Sequence, residues 1–166
     1  MPDAIIGLFV LAAIVGGVIL WQKFTSALGN KATQSILRPK DHKAGQELVS
    51  KKHEFVVSAS VPDVKKAILE QVSALPNEPA VRPALYLAQS SDSLIVYQYG
   101  AKVQTVFRML VHMQAAEAGT RGSFEIVNWM LASGIVARQH EMKQLNADIE
   151  TALRKVDPKA TLRVAG

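Results

Sequence analysis

From Ala4 to Trp21 the chain reads AIIGLFVLAAIVGGVILW, eighteen residues without a charge or a strongly polar side chain. Wound as an α-helix at 1.5 Å per residue, such a run measures about 27 Å, close to the roughly 30 Å of a bilayer's hydrocarbon core. Pro2 and Asp3 suit a helix start, and Trp21 stands where interfacial aromatic residues collect. A cleaved signal peptide needs a positive leading region and a shorter apolar core ending in small residues. Here Met1-Pro2-Asp3 carries no Lys or Arg, and the run continues directly into Gln22-Lys23-Phe24. Residues 1–24 are therefore expected to form a retained, single-pass transmembrane anchor.

The charge distribution orients that anchor. Of the net +5, residues 23–52 supply +5, residues 53–166 supply +1 and Asp3 supplies −1. Because the basic residues follow the span, the positive-inside rule places the N-terminus outside and the C-terminal domain in the cytoplasm. Nucleic-acid binding is not expected, since its basic footprint would lie on the folded domain rather than beside the membrane. Ala12/Gly16 and Ala13/Gly17 form two overlapping pairs of small residues four apart. In lipid this spacing lets a partner helix, or a second copy, approach closely.

Residues 25–52 mix Thr, Ser, Gly, Asn, Lys, Gln and His without a sustained apolar period, which predicts a basic polar tether. The 53–157 segment is patterned quite differently. His53 to Ser60 (HEFVVSAS) reads as a strand. Val61-Pro62-Asp63 then opens a helix whose apolar face is Val64, Ile68, Leu69, Val72 and Leu75, with Pro76 as its stop. Four strands follow, Leu85–Gln89, Leu94–Tyr99, Val103–Ala115 and Gly122–Leu131, separated by turn residues. In the third, Val103, Thr105, Phe107, Met109, Val111 and Met113 alternate with Gln104, Arg108, His112 and Gln114, which describes an antiparallel strand with one wet face. From Gly134 to Val156, apolar residues recur at helical spacing and predict a long amphipathic helix across the sheet. Residues 158–166 are left as a tail. The fold class expected is α+β: an antiparallel sheet and a long C-terminal helix in the order β-α-β4-α, preceded by one transmembrane helix.

That order, with Phe55-Val56-Val57-Ser58-Ala59-Ser60-Val61-Pro62-Asp63-Val64 at its start and Phe124, Trp129, Leu145 and Leu153 near its end, resembles the helix-grip fold of the START-like and plant-allergen-like superfamily. Five strands stand where that family usually has seven, so the resemblance is to a reduced form. It implies a pocket between the sheet and the last helix, for a lipid or other hydrophobic molecule. The candidate lining is Phe107, Met109, Met113, Trp129, Met130 and Met142, since methionine adapts to varied ligand shapes. The rival expectation is a non-catalytic scaffold or accessory subunit of a membrane complex, in which the same residues fill an ordinary core.

Enzymatic chemistry is not announced. Cysteine is absent, which removes disulfides, thiolate metal sites and thiol nucleophiles. His140-Glu141-Met142-Lys143-Gln144 has Gln where a zinc-protease helix places its second His, and Gly119-Thr120-Arg121-Gly122 lacks the length and lysine of a phosphate-binding loop. No catalytic residue, metal or cofactor is assigned. Arg108 and Glu125 are expected to face each other across a hairpin as an exposed salt bridge.

Overall fold

Alternating apolar and polar residues build most of this domain, and a helical stripe closes it. The computed structural model describes residues 39 to 165. Along them run α1 (Pro39–Ser50), β1 (Lys52–Val57), α2 (Val61–Gln71), β2 (Ala84–Ser90), β3 (Leu94–Ala101), β4 (Gln104–Ala116), β5 (Gly119–Trp129), β6 (Leu131–Ala132), β7 (Ile135–Val136), α3 (Gln139–Val156) and β8 (Thr161–Ala165). The fold is α+β, with a six-stranded antiparallel sheet ordered β2-β3-β4-β5-β1-β8 and a separate β6-β7 ribbon. No helix among the described residues is long and apolar enough to cross a membrane. The expected anchor, with Ala12, Ala13, Gly16 and Gly17, lies outside the described residues.

One sheet face carries the core. Phe55 and Val57 of β1, Ile95 and Tyr97 of β3, Phe107, Met109, Val111 and Met113 of β4, and Phe124 and Ile126 of β5 are all buried there. Met142, Leu145, Ile149, Ala152 and Leu153 of α3 close over that face, each no more than 1% exposed. The helix is pinned at both ends. At its start the Arg138 guanidinium lies 5.6 Å from the centre of the Tyr99 ring and pairs with Glu141 at 2.9 Å. At its end Asp157 Oδ2 accepts from the Ser58 backbone N–H and hydroxyl, both at 2.8 Å. Beside it, α2 is capped by Ser60, whose hydroxyl accepts the Asp63 N–H, with Pro62 in the first turn where a missing N–H costs nothing.

Several elements differ from the sequence expectation. The second half of the supposed tether is α1, which docks on β7 and β5. From Lys40 to Ser50 only Gly45 and Val49 are buried, with Ala44 and Leu48 half-buried, too few to show as a period. Gly45 is required by proximity, because a Cβ there would stand 2.9 Å from the Val136 side chain and 2.8 Å from that of Gln139. The supposed tail holds β8, which pairs with β1 from Thr161 to Ala165. The last helix starts at Gln139 rather than Gly134, since Ser133 and Gly134 take positive φ (54° and 77°) and turn the chain between β6 and β7. α2 ends at Gln71, four residues before Leu75. Leu75 instead runs beside β2, donating to Leu85 and accepting from Leu87 at 2.9 Å each. Val103, expected inward, sits in the β3-β4 turn at 85% exposure.

The Ser58–Asp157 contact generates a pH prediction. Hydrogen bonds from the Ser58 backbone and side chain, and from the Lys159 N–H, hold the Asp157 carboxyl below its ordinary value. A lowered folded pKa stabilises the native state above the unfolded value and loses that contribution as pH falls through the folded one. Asp157→Asn should therefore lower stability at neutral pH and flatten the acid limb. Denaturant titrations from neutrality to below pH 3.8 measure both effects.

Candidate functional site

The face of the sheet away from α3 is open, and the larger of the two cavities described, about 910 Å³, lies along it. Register places its side chains in rows running from β4 to β8. One row is Gln114, Arg121, Val56 and Thr161; the next is His112, Ser123, Glu54 and Arg163; a third is Leu110, Glu125, Lys52 and Ala165. Residues two apart on a strand share a face, so this alternating polar lattice follows from the same pattern that buries Phe55, Met113 and Phe124 on the other side. Lys52 and Glu125 pair across strands at 3.7 Å. Arg121 and Arg163 are both exposed and make no ion pair among the described residues.

Toward β2 the open face is closed by a hydrogen-bonded network. The Tyr86 hydroxyl donates to Glu78 Oε1 at 2.9 Å, and Gln98 Nε2 donates to Tyr86 Oη and, at 2.8 Å, to Thr105 Oγ1. Arg108 donates twice to Gln98 Oε1, at 3.1 and 2.8 Å. Burial, reinforced by the Glu78 carboxylate, pushes the Tyr86 phenol up to about 12, so it stays a neutral donor. The expected Arg108–Glu125 pair does not form. Arg108 stands opposite Asn128 and Glu125 opposite Leu110, because the β4-β5 register pairs Ala116 with Gly119 and a bulge shifts it between Arg108 and Met109.

The pocket candidates are placed on the other side. Phe107, Met109, Met113 and Met142 are at most 2% exposed within the core, and Trp129 and Met130 pack half-buried against it. They are brought together, and they touch the core cluster rather than either described cavity, apart from Met113 at the margin of the open-face groove. The second cavity, about 520 Å³, lies outside α2 between Val61, Lys65, Leu69 and Asp92. His112 and His140 are exposed. His53 is half-buried, its ring stacked on Phe124 at 4.6 Å between centroids and its Nδ1 3.5 Å from Glu150. Burial lowers its pKa against the opposing pull of Glu150. Among the described residues no group of three or more acidic or histidine side chains is placed to hold a metal.

Sequence patterning shows which residues leave the sheet on its wet side, but not that β8 joins them, since five residues after a Pro carry little signal. Comparison of the chain with protein-family models and with curated proteins finds no match.

Two polar atoms stand alone inside the core: Tyr97 Oη and Asn146 Oδ1 have no hydrogen-bond partner among the described residues. Burial alone drives the Tyr97 phenol's pKa well upward. An unpartnered buried polar group costs about 1–3 kcal/mol. Tyr97→Phe should therefore raise the unfolding free energy measured by denaturant titration, by up to about 1–3 kcal/mol. A fall in stability would mean that the hydroxyl has a partner in solution.

Proposed function

We propose that the chain is a single-pass membrane protein, N-terminus outside, whose cytoplasmic domain is a non-catalytic accessory module that docks a partner protein on its open sheet face. The observation that carries this reading is the position of the 910 Å³ groove, on the polar face where Arg121 and Arg163 stand exposed near Glu54 and make no ion pair among the described residues. Two arginines in reach of one groove suit carboxylates on an incoming surface, since a guanidinium presents its donors as a fixed fork. The uncharged Ala4–Trp21 run supports delivery of the module to a membrane complex. A photo-crosslinking residue at Ser123 in the full chain, expressed in its own membranes, should trap one discrete protein, and Arg121→Glu with Arg163→Glu should abolish the adduct. An adduct pattern unchanged by the charge reversal, or shared with a probe at Ala118 in the β4-β5 turn, would overturn the reading.

A second reading, a reduced helix-grip module holding a lipid or similar hydrophobic ligand between the sheet and α3, is favoured by the unpartnered Tyr97 Oη and Asn146 Oδ1. An amphipathic ligand offers polar atoms to such groups while its tail displaces methionine side chains, which repack readily. Native mass spectrometry of the full chain released from membranes should then show one bound mass, and Tyr97→Phe should reduce its occupancy. A ligand-free spectrum sinks this reading and leaves the first intact.

A further inference from the structure

Three of the most exposed large apolar side chains of the described domain share one end of the sheet. Val103 is 85% exposed in the β3-β4 turn, Val81 77% exposed in the loop before β2, and Leu131 52% exposed in the β6-β7 ribbon. The backbone stitches these segments to that end: the Lys102 N–H donates to Pro79 O at 3.0 Å, and the Met130 N–H to Val106 O at 2.8 Å. Two of the three are followed or preceded by a cation, in Val81-Arg82 and Lys102-Val103, and all four of those side chains are exposed. The turns at the opposite end, Ser91–Ser93 and Glu117–Ala118, present Asp92 and Glu117 instead and no large apolar side chain. The tips of these turns thus differ, apolar and basic at one end of the sheet and acidic at the other.

The apolar end is also where the chain arrives from the N-terminal side. α1 leads into β1 there, and its first half is fastened to the ribbon's base: Gln139 Nε2 donates to Asp41 O at 3.1 Å, and Gly45 lies against Val136. Between Trp21 and the first residue of α1 stand only residues 22–38. Seventeen residues reach at most about 60 Å when fully extended, so an anchored span keeps the domain within that distance of the bilayer and tethers it by this end. Single exposed apolar side chains, two of the three beside a cation, match the layering of a membrane surface, where apolar groups enter the acyl boundary while Lys and Arg stay with anionic headgroups.

We infer that this end of the domain, through Val81-Arg82, Lys102-Val103 and Leu131, seats on the headgroup layer of an anionic bilayer and so holds the open sheet face at a fixed angle to the membrane. The inference rests on the membrane-anchored reading. The chain has no cysteine, so single cysteines can be labelled cleanly. Nitroxides at Val103→Cys and Leu131→Cys, with Ala118→Cys as the distal control, would be measured in the full chain. The chain would be reconstituted in nanodiscs of phosphatidylcholine, with and without phosphatidylglycerol. In the anionic discs the first two labels should gain access to oxygen and lose access to a water-soluble nickel chelate, while the control stays aqueous. Arg82→Glu with Lys102→Glu should return them to water. Labels at 103 and 131 that behave like the one at 118, or insertion that survives the charge reversal, overturn the inference alone. A chain that does not remain with the discs at all overturns the anchored reading beneath it.

Discussion

The contact between α3 and the inward face of the sheet is the one on which the other elements depend. Met142, Leu145, Ile149, Ala152 and Leu153 share one buried core cluster with residues of β1, β3, β4 and β5, and the four larger of these side chains each contribute about 1.5–3 kcal/mol when fully buried. α2 lies alongside that helix, α1 is seated where the helix begins, and the Ser58–Asp157 link joins its far end to the first strand. Removing the stripe would leave a sheet with two wet faces, which cannot hold its register. A single helix can cover only one side, so the other side is committed to solvent or to a partner.

That division gives the domain two kinds of surface. The open face is a lattice of alternating charges and hydrogen-bonding groups, with a rigid network from Glu78 through Tyr86 and Gln98 to Arg108 along one border. The strand ends are different again, with isolated valines and a leucine standing out of turns. Met109 and Met142 belong to neither surface, and Met113 reaches the groove only at its margin. Met109, Met113 and Met142 fill irregular space under α3, a role their unbranched, polarizable chains suit.

Periodicity made the strands from residue 85 to 129 and the long helix legible in the sequence, because the alternation from Phe107 to Gln114 in β4 or five inward apolar positions in α3 outweigh local noise. What stayed hidden was set by few residues or by pairing. In α1, Gly45 works by being small rather than apolar, so it leaves no hydrophobic trace. In β8, only Leu162 is even half-buried. The Arg108–Glu125 expectation failed on register, which a turn and a bulge decide and which alternation alone cannot express. Of the candidate site, Phe107, Met109, Met113 and Met142 lie in the core with Trp129 and Met130 packed against it, whereas the open-face rows needed the strand order before Arg121, Glu54 and Arg163 became neighbours.

The sheet order has a consequence for how the protein is made. β1, the first strand to be synthesised, pairs with β5 and β8, so both of its edges stay unmatched until much later residues emerge. Chains leave the ribosome N-terminus first, and contacts this distant in sequence close slowly. The apolar run at residues 4–21 is synthesised well before Phe55 and Val57 gain their neighbours. Completion of the sheet is thereby placed last by topology, and β8 closes it only after the rest of the described domain has been made.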